Sequence, residues 1–267
     1  MTNEGFSLRG RKVMLTGATG MLGRCYAHTL HGAGADIVLV DVDERALGTL
    51  QTELLLNEQG ASVRIGACDL RYRKVYDEVL RPFIEGGIDI LINNAALTGV
   101  SMKNMAASGD VPTCPEDVWD ASLEVNLTAM FRLTKQVLPG MIERGYGNVV
   151  NVSSIHGHVS PDPTLYEGLD IASSLPYSVT KAAVLNFTRY LAHRHGNQGI
   201  RSNSITLGGV RSAATSPEFI DRYARRTALG RMAEPTDYRG AMLFLCSDES
   251  AYMTGSNLII DGGWTSR

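Results

Sequence analysis

Cysteine is scarce in this chain of 267 residues: there are only four, Cys25, Cys68, Cys114 and Cys246, and no two form a CxxC. Widely spaced thiols of this kind suit a reducing compartment better than a disulfide framework. Basic charge is not in excess, since 25 Lys+Arg stand against 28 Asp+Glu for a net charge of −3. Proteins that hold nucleic acid by neutralising phosphates carry such an excess, so no nucleic-acid partner is expected. No apolar run reaches the roughly 18 residues that a membrane-crossing helix needs. The start, Met1-Thr2-Asn3-Glu4-Gly5, lacks the basic and apolar regions of a secretory signal, and no lipidation motif occurs. A cytoplasmic protein without a membrane partner is expected. Linkers, low-complexity tracts and repeats are also missing, which points to one domain over 1–267. Hydrophobic residues at 44% and charged residues at 20% exclude a disordered chain.

Glycine, by contrast, is abundant: 28 residues, about one in ten against a usual ~7%. Such chains make tight turns and close backbone approaches. Short β-branched runs occur at Val13–Thr16, Ile37–Asp41, Ser62–Ala67, Ile88–Ile92, Asn148–Val152, Arg201–Thr206 and Asn257–Ile260. Several are apolar without alternation, as strands buried on both faces are. Between them lie helical stretches at Gly20–His31, Glu44–Glu58, Arg71–Glu85, Glu116–Arg144, Ser178–His195 and Thr236–Ser247. Pro139 is expected to kink or end the fourth of these. The alternation predicts an α/β fold, a single-domain Rossmann-type doubly wound sheet of about seven parallel strands with helices on both faces. Segments at about 98–115, 157–175 and 211–232 are expected to be substrate loops, the first two being long for α/β connections.

The first strand runs into Thr16-Gly17-Ala18-Thr19-Gly20-Met21-Leu22-Gly23 and then a helix. Glycines spaced by three allow a tight turn and let a pyrophosphate approach the helix N-terminus, where amides and dipole favour negative charge. The strand-turn-helix context makes this a dinucleotide-binding turn, with Gly17, Thr19, Gly20, Met21, Leu22 and Gly23 against the cofactor. Asp41 ends the second strand, where an acidic residue typically bonds the adenosine ribose hydroxyls. Its charge repels a 2′-phosphate, and neither Thr19 nor Val42 supplies a compensating cation. NAD is therefore expected over NADP. The bland alternative is that Asp41 only opens a turn with Asp43 and Glu44.

Further along come Asn93-Asn94-Ala95-Ala96, Ser153-Ser154, Tyr177-Ser178-Val179-Thr180-Lys181, Leu207-Gly208-Gly209-Val210 and Asp261-Gly262-Gly263. In this order, over essentially the whole chain, they resemble the short-chain dehydrogenase/reductase family. The chemistry can also be argued from the residues. A free phenol has a pKa of ~10, too high for a base at neutral pH. Tyr177 and Lys181 lie one helical turn apart on one face, and a nearby ammonium lowers a phenol's pKa. The tuned phenol can exchange a proton with an alcohol during hydride transfer. A neighbouring hydroxyl can hold the substrate oxygen as charge develops on it.

The resemblance implies an acid/base role for Tyr177 and a nicotinamide-ribose role for Lys181. It implies a substrate-orienting role for Ser154, with Ser153 as fallback, and a proton-relay role for Asn126. It places Asp69 and Leu70 at adenine, Asn94, Ala95, Ala96 and Val152 at the riboses, and Gly208 and Val210 at the carboxamide. A homo-oligomer, dimer or tetramer, is implied as well.

The chain departs from the family pattern in three ways. Its glycines read GxxGxxG rather than GxxxGxG. Leu207 replaces the usual proline before Gly208, which is expected to loosen that loop, and Ser212 replaces the usual threonine. Ser154 and Tyr177 are 23 residues apart, about twice the usual spacing, so an insertion is expected to wall the substrate pocket. That insertion, with Leu229-Gly230-Arg231-Met232-Ala233-Glu234-Pro235 and Asp261-Gly262-Gly263-Trp264-Thr265, is similar to a bacterial subgroup tied to surface-polysaccharide and flagellin sugars.

The expected function is an NAD-dependent secondary-alcohol/ketone oxidoreductase on a sugar or sugar nucleotide. The alternatives are a lipid-like ketone reductase (3-oxoacyl or steroid), an epimerase or dehydratase, and a non-catalytic NAD(H) sensor. His156 and His158 form HxH without a companion ligand, so no metal is expected. They bond substrate hydroxyls or face solvent. Arg211, Arg222, Arg225, Arg226 and Arg231 either meet an anionic substrate or, for Arg222, Arg225 and Arg226 especially, form a solvated helix face. Met102, Met105, Trp119 and Tyr166 line an apolar pocket or simply pack.

Overall fold

The computed structural model describes residues 4–56, 60–98, 109–169 and 171–266. Seven strands form one sheet: β1 (Lys12–Thr16), β2 (Asp36–Asp41), β3 (Val63–Ala67), β4 (Ile90–Asn93), β5 (Gly147–Ser154), β6 (Ile200–Leu207) and β7 (Asn257–Ile260). Their order is β3-β2-β1-β4-β5-β6-β7, and every pairing is parallel. Among the described residues eight α-helices accompany them: α1 (Met21–Gly32), α2 (Glu44–Leu55), α3 (Arg81–Glu85), α4 (Glu116–Leu123), α5 (Ala129–Arg144), α6 (Leu175–His195), α7 (Pro217–Ala224) and α8 (Arg239–Cys246).

Alternation along β1 shows how the sheet is covered on both faces. Val13 and Leu15 pack into one core with Tyr26 and Leu30 of α1, Leu47 and Leu50 of α2 and Met242 of α8. Met14, between them, packs into the other core with Leu133 and Val137 of α5 and Leu191 of α6. A strand whose successive side chains are all buried in this way reads as a continuous apolar run. The strand order reverses between β1 and β4. In open α/β sheets the crevice beyond the strand ends at such a switch is the ligand site.

Two helical expectations need correction. Glu116–Arg144 does not end at Pro139, because α5 continues through it to Arg144. Its discontinuity lies earlier, at a π-helical turn over Glu124–Thr128. Proline removes one helical hydrogen bond, but packing against the sheet holds the helix there, with Val137 and Met141 both buried. Arg71–Glu85 begins later than expected: the helical run is continuous over 74–85, with a π-helical turn over Tyr76–Leu80 ahead of α3.

Candidate active site

The glycine turn is clamped to the switch crevice by β4. Thr16 Oγ1 donates to Ile92 O at 3.2 Å and accepts from Asn94 N and Ala95 N at 3.0 and 3.1 Å. The Asn94 side-chain amide donates to Thr16 O and Gly17 O at 3.0 and 3.1 Å. This draws the turn so close that a Cβ on Gly17, at φ +64°, would lie 2.8 Å from Ala95 Cα. A Cβ on Gly23 would overlap Gly17 O and lie 2.8 Å from Ala18 Cα. Gly20 is different: at φ −66° and ψ 164° its nearest neighbour, Gly17 O, would be 3.4 Å from a Cβ. The protein's own packing therefore explains two glycines but not the third. Gly20 is also the N-cap of α1 and provides no side-chain cap, so the first-turn amides stay available to an anion.

Asp41 ends β2 beside the glycine turn. Its carboxylate accepts from Thr19 N at 2.9 Å and Val42 N at 2.7 Å, joining β2 to the glycine turn. Its backbone oxygen accepts from Cys68 N at 2.8 Å, which brings the end of β3 alongside. Asp69 is held by Arg71 at 2.6 Å, and that guanidinium keeps its carboxyl below the usual range. Leu70 is buried, and its carbonyl accepts from Tyr76 Oη at 2.8 Å. Asn94, Ala95 and Ala96 follow β4 and are partly buried at the crevice.

The Ser154 side chain lies beside the Tyr177 phenol, and its hydroxyl oxygen accepts from His156 N at 3.2 Å. Ser153 points elsewhere and donates to Lys181 O at 2.9 Å. Lys181 is 3% exposed and donates Nζ to Val152 O at 2.7 Å, lying 5.6 Å from the Tyr177 ring centre. Among the described residues no other hydrogen bond of its Nζ is found. Burial pushes the Lys181 ammonium down to about 8, so it is still mainly charged at neutral pH. The expected depression of the Tyr177 phenol is not found in the protein alone. Burial raises it, and the neighbouring Ser154 hydroxyl only partly opposes this. Desolvation outweighs the ammonium because Lys181 is turned to the Val152 carbonyl rather than to the phenol oxygen.

Asn126 occupies the π-helical turn. Its amide donates to Leu97 O and Thr180 Oγ1, both at 3.1 Å, and its oxygen accepts from Leu97 N at 2.7 Å. Asn126 thereby ties α5 to the residue before Lys181. Bulges of this kind recur at functional sites.

The Gly208–Val210 loop, where leucine replaces proline, is tied to its neighbours by several hydrogen bonds. Gly208 N donates to Ile260 O at 2.9 Å, and Gly208 O accepts from Tyr238 Oη at 3.0 Å. Gly209 N donates to Tyr223 Oη, and Val210 bridges Ala233. Tyr223 stacks on Trp264 with ring centres 4.5 Å apart. Sequence reasoning missed Tyr223, Tyr238 and the helix α7 that carries Tyr223. Ser216 before Pro217 was the available signal, since Ser caps the helix through Phe219 N and Pro occupies its first turn.

Each arginine of the cluster pairs with a carboxylate; Arg225 lies on a solvated helix face as expected, whereas Arg222 and Arg226 do not. Arg222 donates to Leu165 O and Glu167 O and pairs with Glu218. Arg226 pairs with Asp162 and donates to Thr164 Oγ1. Together they fasten α7 to the insertion, and Tyr166 packs on Phe219 at 5.6 Å. Arg211, Arg225 and Arg231 pair with Glu234, Asp221 and Asp237. His156 meets Tyr177 edge-on at 6.4 Å, whereas His158 is exposed. Trp119 lies on α4, partly buried. Met102, Met105 and most of the 98–115 segment lie outside the described residues.

A family model described as enoyl-(acyl carrier protein) reductase matches residues 17–265. The human protein dehydrogenase/reductase SDR family member 4 is 32% identical over 270 residues, spanning 97% of this chain and 89% of that one. This chain belongs to the short-chain dehydrogenase/reductase family. Its membership makes it an oxidoreductase that acts on the alcohol or ketone of a small molecule with a nicotinamide cofactor. A second family relative, 2-keto-3-deoxy-L-fuconate dehydrogenase of Xanthomonas campestris pv. campestris, is 28% identical over 274 residues, 99% of this chain and 83% of that one. The crystal structure of a gluconate 5-dehydrogenase from Burkholderia cenocepacia, in complex with NADP and tartrate, superposes with a TM-score of 0.85 at 27% identity. That match covers 99% of this chain and 98% of the other. Among the described residues no helix is long and apolar enough to cross a membrane.

Proposed function

We propose that the protein is an NAD-dependent oxidoreductase that interconverts a secondary alcohol and a ketone on a sugar or sugar-nucleotide-like substrate. The whole chain acts as one catalytic domain. The observation that carries this reading is the convergence of Ser154, Tyr177 and Lys181 at the same crevice as the glycine turn and Asp41.

The residues fit a dinucleotide. Gly20 leaves room that the protein does not use, the start of α1 offers uncapped amides, and Lys181 has spare donors. Gly17, Thr19, Gly20, Met21, Leu22 and Gly23 hold the pyrophosphate, and Asp41 holds the adenosine ribose. Asp69 and Leu70 border adenine. Asn94 to Ala96, Val152, Tyr177 and Lys181 hold the ribose at the reacting end, with Gly208 and Val210 at the carboxamide. A bound nicotinamide supplies the hydride acceptor or donor. Ser154 holds the substrate oxygen, and Tyr177 Oη takes or returns its proton. Lys181 supplies positive charge that lowers the phenol once an acceptor draws its Nζ off Val152 O. Asn126 holds the π-helical turn that positions Thr180 and Lys181.

Asp41 supports NAD over NADP. Its carboxylate faces the turn with no cation bonded to it, and a 2′-phosphate there meets like charge. A sugar-type substrate is supported by relatives whose names specify fuconate and gluconate derivatives. The family description instead favours an acyl thioester. Half-exposed Phe131 on α5, with Val179 and Tyr190 on α6, supports a homo-oligomer, dimer or tetramer, packed through these helices.

The test is an oxidation screen with NAD+ and NADP+ over nucleotide sugars, polyols, hydroxysteroids and 3-hydroxyacyl thioesters. Turnover of a sugar class with NAD+, lost at least about a thousandfold in Tyr177→Phe, is expected. Turnover of a thioester instead establishes the acyl reading. Intact NADH binding without any turnover points to a sensor.

A further inference from the structure

Two polar groups beside Tyr177 lack a protein partner. The His156 ring stands edge-on to Tyr177 at 6.4 Å. Burial alone pushes it down to about 4, with no hydrogen bond contributing, so it is neutral at physiological pH. Tyr166 lies near enough for its phenol to feel that of Tyr177, and burial holds it up at about 12 with no hydrogen bond to relieve it. Among the described residues neither ring's polar tip has a donor or acceptor to bond. Both residues are only partly buried, so their tips stay open to a ligand's hydroxyls.

The cations around the same pocket are in the opposite condition. Arg211, Arg222, Arg225, Arg226 and Arg231 each have a carboxylate partner. Arg222 also holds the Leu165 and Glu167 carbonyls, and Arg231 grips Asp237 with both of its terminal nitrogens. A substrate carboxylate or phosphate at any of these would compete with a carboxylate the protein already supplies. The insertion, Arg222, Arg226 and Phe219 thus work as wall, with the His156 ring beside that of Tyr177 and the Tyr166 ring on Phe219.

We propose that His156 and Tyr166 orient the substrate by hydrogen-bonding its hydroxyls, and that the reacting end of the substrate is uncharged and hydroxyl-rich. This rests on the oxidoreductase reading above and narrows it. Two neutral groups that both donate and accept suit a polyol or a neutral sugar ring. They offer an anion no compensating charge. The acid-bearing substrates in the names of two relatives are therefore not the expected ones here.

The experiment uses matched pairs that differ only at one carbon: glucitol against gluconate, and galactitol against galactonate. Initial rates are measured with NAD+ on the full-length wild type and on Tyr166→Phe, His156→Leu and His156→Asn. The neutral member of a pair is expected to exceed the acid at least about tenfold in kcat/KM. Tyr166→Phe and His156→Leu are each expected to raise KM about fivefold, the scale of one neutral hydrogen bond, with kcat changed less than about twofold. His156→Asn, which keeps a donor and an acceptor, should restore most of the loss. NADH affinity should stay unchanged in all three. Preference for the acids overturns the inference, as does an unchanged KM in Tyr166→Phe and His156→Leu, or no turnover of either member while NADH still binds. Loss of NADH binding by the wild type would instead remove the proposed function itself.

Discussion

Adding one methyl group at each glycine of the β1–α1 turn should separate folding from cofactor binding. In the free protein a Cβ at Gly20 has ordinary contact, 3.4 Å from Gly17 O, and a backbone at φ −66° that alanine adopts freely. Replacing glycine there removes freedom from the unfolded chain, a gain of about 0.4–1 kcal/mol. Alanine is a poorer N-cap than glycine by a similar amount, so the two offset and Gly20→Ala should melt within about 1 kcal/mol of wild type. Gly17→Ala meets both a left-handed backbone at φ +64° and Ala95 Cα at 2.8 Å. Strain and overpacking together cost about 2 kcal/mol or more. Gly23→Ala overlaps Gly17 O and approaches Ala18 Cα to 2.8 Å, with backbone on both sides and no flexible side chain to yield. It should be destabilised at least as much. For a chain of this size each kcal/mol shifts the midpoint by about 2–4 °C.

Binding should rank differently. The methyl of Gly20→Ala stands where the pyrophosphate must approach the uncapped amides of α1, so NADH affinity should fall about tenfold or more, ~1.4 kcal/mol. Thermal melts and NADH fluorescence titration on the three variants decide it. A Gly20→Ala protein that binds NADH like wild type refutes the cradle. One that melts as low as Gly23→Ala refutes the packing argument.

Two further outcomes follow from charge. Asp41→Ser keeps an acceptor for Thr19 N but removes the carboxylate, and like charges about 5 Å apart at a protein surface repel by ~1–3 kcal/mol. The kcat/KM ratio of NADP+ to NAD+ should therefore rise about 10- to 100-fold, and a wild type that already prefers NADP+ would defeat the reasoning. Lys181 has its folded pKa lowered from 10.5 to about 8 by burial. The folded state binds its proton less tightly than the unfolded chain, so burial costs about 3 kcal/mol below the folded value, and that cost is relieved as pH climbs from there to 10.5. Denaturant melts of wild type and Lys181→Met should show wild-type stability gaining on the variant across this window. A fall over the same range would contradict the burial assigned to the ammonium.

The inner strands were legible because they are buried on both faces, so apolar runs such as Ile90–Ile92 announce themselves without any knowledge of partners. The glycine turn and the Tyr177–Lys181 spacing were legible for a similar reason, being local patterns with local geometry. The π-helical turns were not, because Glu124–Thr128 has ordinary helical composition and its extra residue is accommodated by packing against α6 and the β4 loop through Asn126. Pro139 misled for the converse reason. A local breaker was overridden by the burial of its neighbours Val137 and Met141.

The arginines show where local reading runs out. Arg222 and Glu218 are one turn apart and predictable as a pair, but the carbonyls that Arg222 holds lie 55 to 58 residues away. Nothing local could tell a wall-building guanidinium from an anion site. The same holds for the two serines and the phenol. Residue types and their order along the chain determined that a hydroxyl, a phenol and an amine would meet at a parallel-sheet crevice. Only the folded structure decided that Ser153 turns to Lys181 O while Ser154 turns to Tyr177, and that burial raises the phenol while the ammonium bonds a carbonyl. Those outcomes depend on desolvation and on contacts between distant segments, which exist only once the chain has packed.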